Sequence, residues 1–342
     1  MEPRAVENKV LSQAPSFAAD HLLDARCYKA WAAYLKDQDP FRPLALEANA
    51  LISIYIFAVS PNPDVVIGRK GLWFYEQDLT RGCVFKMPPE QLAESVAAWA
   101  DQLRASGRRL LLVVAPDKAM IYPQDLPSDA LQRHDCTAKK EAGLRQELAK
   151  RLDPDLIDLT GEIKALADRS DDLVFYKDDT HWLPEVSLAL PRDIVMGLKP
   201  GLWDESDVAV LSKEAMTPDL AFMVGLEREA FRTDYFTRRP GVEVDKIKDA
   251  SPILLKPSRS RSLDVPLIEA RAIFIGDSFS RETIDVLRPY FREFAQVNWE
   301  SIGTTEFDQV MRDTDIVIVE SVMRNLFERI EVHFNAKNLA GW

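Results

Sequence analysis

Hydrophobic and polar positions divide the chain into short apolar runs that alternate with stretches of helical spacing. Apolar runs of strand length, bounded by polar residues or glycine, lie at Leu110–Ala115, Leu173–Tyr176, 272–275 and 316–319. A helix after Pro89 is predicted from the 4-3-4 spacing of Leu92, Val96, Trp99 and Leu103. Strands that alternate with helices in this way predict a mainly parallel α/β sheet covered by helices.

Two segments depart from this alternation. Residues 1–60 are predicted to be an amphipathic helical extension that packs on the main domain and is broken at Asp39-Pro-Phe-Arg42. Residues 61–342 then form the α/β domain. Within it, residues 199–265 are rich in proline and charge and only weakly periodic, which predicts an insertion over one edge of the sheet.

The charge of the chain restricts its partners. With 43 basic and 55 acidic residues among 342, the net charge is −12, which argues against general binding of nucleic acid. Basic residues do gather in the insertion, where a solvated surface is the first expectation and binding of an anionic glycan the second. They are Arg232, Arg238, Arg239, Lys246, Lys248, Lys256, Arg259 and Arg261.

The cysteines and the long apolar run do not identify the cellular compartment of the protein. Cys27, Cys83 and Cys136 lack metal-ligand spacing, so one disulfide with a free thiol and three buried thiols are both compatible with the sequence. No metal and no organic cofactor is expected. The polar start at Met1 does not look like a signal peptide, and the apolar run 50–59 is shorter than the ~20 residues that span a bilayer. We expect that run to be a buried helix or strand.

The apolar run at 272–275 leads directly into Gly276-Asp-Ser-Phe-Ser280. A serine at a strand-to-helix turn lies at the carboxyl edge of the sheet, where open α/β folds bind their ligands. Its main-chain N–H would point out of a helix N-terminus towards a negative oxygen. Ser278 is therefore a candidate nucleophile, although a helix-capping role for Ser278 or Ser280 is the structural alternative.

A histidine and a carboxylate that could activate this serine lie nearly a hundred residues earlier. Of the four histidines (His21, His134, His181 and His333), only His181 follows a predicted buried strand, and Asp179 precedes it by two residues. A carboxylate that holds Nδ1–H leaves Nε2 free for the nucleophile. Asp179, His181 and Ser278 together supply the parts of a Ser-His-Asp triad.

These residues resemble the SGNH-hydrolase superfamily, and specifically the bacterial polysaccharide O-acetyltransferases of the alginate acetylation type. The resemblance rests mainly on Tyr176-Lys-Asp-Asp-Thr-His-Trp182 and Gly276-Asp-Ser-Phe-Ser280. Supporting stretches extend over nearly the whole chain, namely 39–42, 66–75, 114–118, 121–123 and 126–127.

The resemblance implies a flavodoxin-like sheet with helices on both faces in a circularly permuted order, because the Asp/His block precedes the serine here. By the same permutation, Ser321-Val-Met-Arg-Asn325 replaces the Asn block of the superfamily. Arg324 or Asn325 would then be an oxyanion donor, with a local salt bridge from Arg324 to Glu320 as the structural alternative.

Three further residues are candidates for lining the site, each with a packing role as the alternative. Lys118 and Tyr122 follow the central strand, and Trp182, next to His181, is a candidate for stacking on a sugar ring.

By resemblance, the expected function is an extracytoplasmic O-acetyltransferase that acetylates an exopolysaccharide through a Ser278 acetyl-enzyme. A membrane-bound O-acyltransferase would supply the acetyl group, other exopolysaccharide biosynthesis proteins would be partners, and the protein would be periplasmic, attached to the inner membrane through an N-terminal segment that this sequence lacks. A carbohydrate acetyl-esterase with the same triad and a catalytically idle glycan-binding or scaffold subunit remain as alternatives.

Overall fold

The computed structural model describes residues 14, 25–37, 41–248 and 250–334. His21 and the first two residues of the predicted helix break, Asp39 and Pro40, lie outside the described residues. The strands are β1 Val65–Ile67, β2 Trp73–Tyr75, β3 Arg109–Ala115, β4 Leu156–Asp158, β5 Val208–Met216, β6 Ala230–Thr237, β7 Val242–Lys246, β8 Leu255–Ser262, β9 Ile268–Ile275, β10 Phe291–Val297 and β11 Ile316–Val322.

Helices connect and cover these strands. They are α1 Ala25–Asp37, α2 Arg42–Tyr55, α3 Glu76–Val84, α4 Pro89–Ala105, α5 Lys118–Ile121, α6 Ser128–Leu152, α7 Thr160–Arg169, α8 Pro184–Ser187, α9 Ala189–Leu198, α10 Asp219–Met223, α11 Ile284–Leu287, α12 Thr305–Arg312 and α13 Met323–His333. Helix α8 ends before α9 begins, and Pro191 lies in the first turn of α9, where its missing N–H costs nothing.

A seven-stranded sheet in the order β4-β3-β11-β9-β10-β8-β7 forms the centre of the molecule. The pairs from β4 to β10 are parallel, whereas β8 and β7 add antiparallel strands at one edge. The expectation of a mainly parallel α/β sheet is thus confirmed. The carboxyl ends of β3, β9, β10 and β11 meet at the same edge, so residues that follow these strands come together there.

Alternate side chains of the central strands enter two separate cores, one on each face of the sheet. On one face Leu111 and Phe274 pack with residues of α5, α7, α9 and α11. On the other face Leu112 and Ile275 pack with residues of α4, α6, α12 and α13. A strand buried on both faces is expected to be apolar throughout, which explains the unbroken runs in the sequence.

Residues 199–265 contain two different structures. β5 and β6 form a two-stranded antiparallel ribbon, and their outer ends meet where Val208 pairs with Thr237. β7 and β8 instead continue the main sheet beyond β10. Four of the eight basic side chains named above are paired with acids: Arg232 with Asp234, Lys256 with Asp285, Arg259 with Glu293 and Arg261 with Asp245.

Two predictions for apolar runs are wrong. Leu173–Tyr176 is not a strand of the sheet: only Phe175 makes a bridge, to Trp182, because the chain folds back on itself in a loop in which Tyr176 N–H donates to His181 O. The run 50–59 is not buried either. Helix α2 buries Ala50 and Ile54 against β1, β2 and α10, whereas Leu51, Ile52 and Tyr55 are exposed.

Two further observations concern the compartment. Cys83 of α3 and Cys136 of α6 form a disulfide and Cys27 is a free thiol, so one of the two alternatives from the sequence holds. Over the described residues, none of the helices combines the length and apolar character that a bilayer crossing requires.

Candidate active site

Ser278 is exposed and follows the carboxyl end of β9, where the chain enters a 3-10 turn over Ser278–Thr283. Only glycine fits at position 276, because a Cβ there would overlap the Ser280 hydroxyl and the Phe274 ring. The first N–H groups of such a turn have no partner inside the turn, so the Ser278 N–H is available to an oxygen atom in the groove. The sequence thus places an exposed hydroxyl beside an available donor.

The carboxylate of Asp277 holds the main chain just after this serine and at the end of β11. Its Oδ1 accepts from Phe279 N–H at 2.9 Å, and its Oδ2 accepts from Val322 N–H at 3.0 Å and from Arg329 at 2.6 Å. Burial alone would raise the pKa of Asp277, but the charge of Arg329 and these N–H groups outweigh burial and lower the pKa. Asp277 is therefore a fixed anion that ties the Ser278 turn to the end of β11.

The structure brings Ser278, His181 and Asp179 into one hydrogen-bonded line. His181 Nε2 lies 2.7 Å from Ser278 Oγ, and His181 Nδ1 lies 2.7 Å from Asp179 Oδ1. Asp179 Oδ1 also accepts from the main-chain N–H of His181 at 2.9 Å. The side chain of Asp179 is 2% exposed and that of His181 is 28% exposed, so the carboxylate is enclosed while the imidazole reaches the surface.

The two partners shift each other's protonation. Burial alone would raise the pKa of Asp179, but the hydrogen bond and charge of His181 outweigh it and lower the pKa. Burial would likewise lower the pKa of His181, but the hydrogen bond and charge of Asp179 raise it above its usual value. A carboxylate that stays ionised beside an imidazole of raised pKa can stabilise a proton arriving on Nε2.

Lys118 holds the loop that carries Asp179. Its ammonium is completely buried and donates to the carbonyl oxygens of Trp73 at 2.8 Å, of Lys177 at 3.4 Å and of Asp179. Burial lowers the pKa of Lys118 to about 8. Lys118 thus lies behind the site and clamps its main chain, instead of lining the groove.

A family model described as an SGNH hydrolase-like domain of the acetyltransferase AlgX matches residues 65–284, which is more than half of the chain. The chain belongs to this SGNH hydrolase-like family. The match includes β1, the turn of Asp179 and His181, and the turn of Ser278.

Curated relatives carry the name "Probable alginate O-acetylase AlgJ". The protein from Pseudomonas aeruginosa is 28% identical over 189 residues, which cover 51% of this chain and 44% of that protein. The protein from Pseudomonas fluorescens is 25% identical over 167 residues, covering 48% and 40% respectively. This chain thus spans less than half the length of either relative.

Solved structures share the fold. The O-acetyltransferase domain of Pseudomonas putida AlgJ superposes with a TM-score of 0.51 at 17% identity, covering 81% of this chain and 98% of that domain. A DHHW family protein from Eubacterium siraeum gives a TM-score of 0.51 at 10% identity, covering 79% and 98%. The expected SGNH-like architecture is confirmed by the family match and this likeness.

Arg324 is not among the residues that line the groove at Ser278, and it bonds two buried acids instead of Glu320. Its guanidinium bonds Asp117 at 2.6 Å and Asp78 at 3.3 Å, and the Arg324 side chain is only 9% exposed. The guanidinium lies 5.3 Å from the Phe279 ring centre. Asp117, just after β3, is the nearer acid, so Arg324 ties helix α13 to the end of β3 beneath the turn that carries Ser278.

The remaining candidates have packing roles or lie beside the groove. Trp182 is 2% exposed and donates to Phe279 O at 3.1 Å, which corrects the expectation that it stacks on a sugar. Tyr122 is buried, and its hydroxyl accepts from Val174 N–H at 2.9 Å. Asn325, half-buried on α13, is not among the residues that line the groove at Ser278.

The groove at Ser278 has a volume of about 660 Å³ and lies between the β5–β6 ribbon and the carboxyl ends of β9 and β10. Polar side chains line it: Ser212, Arg232, Asp234, Arg281, Glu282 and Asn298. Of these residues, sequence reasoning singled out only Arg232, as one of the basic residues of the insertion. Asn298 directly follows the carboxyl end of β10, a position at which open α/β folds bind ligands, whereas the ribbon residues lie in the weakly periodic segment.

One group of carboxylate and imidazole atoms among the described residues is compact enough to hold a metal ion. It consists of Asp179, His181 and Asp219, whose ligand atoms lie within 4.8 Å of one another. These same atoms bond to each other and to the main chain in the line that ends at Ser278. We therefore assign the group to hydrogen bonding and not to metal ligation.

Proposed function

We propose that this chain is an O-acetyltransferase that moves an acetyl group through a Ser278 acetyl-enzyme onto a hydroxyl of a bacterial exopolysaccharide. The observation that carries the proposal is the line from Ser278 Oγ through His181 to Asp179, with 2.7 Å at each step, beside an open polar groove. The names of the AlgJ relatives support the same reaction class.

The residues would act in two half-reactions. His181 Nε2 takes the proton of Ser278 as Oγ bonds to the carbonyl carbon of the acetyl donor, and Asp179 stabilises the imidazolium. The Ser278 N–H donates to the oxyanion, and the leaving group departs with the proton from Nε2. A sugar hydroxyl then gives its proton to His181 Nε2 and bonds to the acetyl carbon, the bond between that carbon and Ser278 Oγ breaks, and Oγ takes the proton back from Nε2.

The polar lining of the groove suits a carbohydrate acceptor, which needs many hydrogen bonds. The acetyl donor would be supplied by a membrane-bound O-acyltransferase partner, and the protein would act in the periplasm. The Cys83–Cys136 disulfide supports an oxidising compartment.

The test combines a variant with two product assays. Ser278→Ala is expected to lower turnover of an acetyl ester by about 10⁴-fold. Ser206→Ala, on the exposed surface, is the matched control. With an acetyl donor and oligosaccharides, mass spectrometry is expected to find acetylated sugar; release of acetate alone would indicate an esterase. Unchanged turnover in Ser278→Ala, or glycan binding without fluorophosphonate labelling of Ser278, would overturn the proposal.

A further inference from the structure

A second carboxylate lies beside the turn that carries Asp179 and His181. Asp219 begins helix α10 between the two strands of the ribbon, 38 residues after His181. Its carboxylate accepts from Thr180 N–H at 2.8 Å and from the Thr180 hydroxyl. Its Oδ2 lies 3.7 Å from His181 Nδ1. Asp219 thus faces the rear of the same imidazole whose front faces Ser278.

The main chain of Asp219 completes the bonding of Asp179. Asp179 uses Oδ1 for His181, and its other oxygen, Oδ2, accepts from Asp219 N–H at 2.7 Å. Helix α10 is anchored in turn, because Ala221 N–H donates to Asp178 O at 3.1 Å and Ala221 is buried. Oδ2 of Asp179 is therefore held only while α10 stays in place.

The charges around His181 come from several elements. Asp179 and Asp219 supply negative charge, Glu282 lies in the 3-10 turn that begins at Ser278, and Arg324 supplies positive charge from α13. Burial and the charge of Asp179 raise the pKa of Asp219, whereas a positive His181 lowers it. Asp219 is thus most stable as an anion when the imidazole carries a proton.

We propose that Asp219 is a positioning residue of the acyl-transfer site, which locks the Asp179–Thr180–His181 turn and stabilises the imidazolium formed during each half-reaction. The proposal rests on the function proposed above. It gives the ribbon segment, whose strands line the groove, a role in the chemistry itself.

The experiment measures how fast a fluorophosphonate labels Ser278 as a function of pH. Asp219→Asn removes the charge, so the pKa of His181 falls and labelling persists to lower pH than in the wild type. The ratio of the labelling rate in mild acid to that on the alkaline plateau should rise several-fold. Asp219→Ala also removes the acceptors for Thr180, so the labelling rate of this variant on the alkaline plateau should fall. Glu229→Gln, exposed in the same segment, is the matched charge control.

A second readout does not need the reaction. The imidazole C–H signals of His181, titrated by NMR, should show the same downward movement of the midpoint in Asp219→Asn. A His181 midpoint in Asp219→Asn equal to that in Glu229→Gln would overturn the proposal. A lower labelling plateau with an unmoved midpoint would also overturn it, because a packing role alone would give that result. If the wild type is not labelled at Ser278, the function proposed above fails, and the NMR titration still decides the effect of Asp219 on His181.

Discussion

Replacing Arg324 by methionine tests how much the buried ion cluster beneath the Ser278 turn contributes to stability. The change removes the cation that bonds Asp78 and Asp117, whose side chains are both 0% exposed. Removing one partner of a buried pair costs about 3 to 5 kcal/mol of unfolding free energy, because the remaining charge is uncompensated. Loss of the stacking of the guanidinium on the Phe279 and Tyr75 rings adds about 0.5 to 1 kcal/mol for each ring.

The loss of unfolding free energy in Arg324→Met should depend on pH. Burial already raises the pKa of Asp78 and of Asp117, and removal of Arg324 raises both further. When the pKa of a carboxyl group is higher in the folded than in the unfolded state, the unfolding free energy of the protein falls as pH rises above the unfolded pKa of about 4. Arg324→Met is therefore expected to be more destabilising at about pH 8 than at about pH 5.

Urea unfolding at the two pH values measures both effects. The triple variant Arg324→Met, Asp78→Asn, Asp117→Asn has no buried charge in the cluster and should recover much of the loss. Arg312→Met, exposed on α12, controls for the change of side chain. A loss below about 1 kcal/mol, or an equal loss at both pH values, would refute the reasoning.

The remaining predictions concern other parts of the molecule. Burial raises the pKa of Glu320 well above its usual value, so Glu320→Gln should stabilise the fold more at about pH 8 than at about pH 5 in urea unfolding. Asn298→Ala, which removes an amide from the groove at Ser278, should lower acetyl-ester turnover about 10-fold or more without changing the unfolding midpoint. Replacing Cys83 and Cys136 by serine should lower the unfolding free energy by about 2 to 4 kcal/mol. A wild-type unfolding midpoint that does not change when the disulfide is reduced would contradict this.

The sequence carried most of the information about the central sheet. The runs at Leu110–Ala115 and Ala272–Ile275 are buried on both faces, so their composition alone identifies them as strands. The same signal failed at Leu173–Tyr176, because a buried loop that bonds to itself also needs apolar side chains. Apolar character reports burial, and it does not report whether neighbouring strands pair.

Partners distant in sequence were the least predictable part of the site. Ser278 and His181 could be singled out because each stands in a distinctive local motif. Arg324 was matched to an acid four residues away, whereas its partner Asp117 lies 207 residues away. Asp219 had no local signal at all, because its role depends on how the weakly periodic segment returns to the Asp179 turn.

The ribbon formed by β5 and β6 enters and leaves the body of the domain at adjacent points, since Val208 pairs with Thr237. A module whose ends meet can be exchanged for another of different length without moving its attachment points. Grafting ribbons from other members of the family would therefore reshape the mouth of the groove and leave Ser278 and His181 in place. The graft would have to keep helix α10, with Asp219, in place against the Asp179 turn.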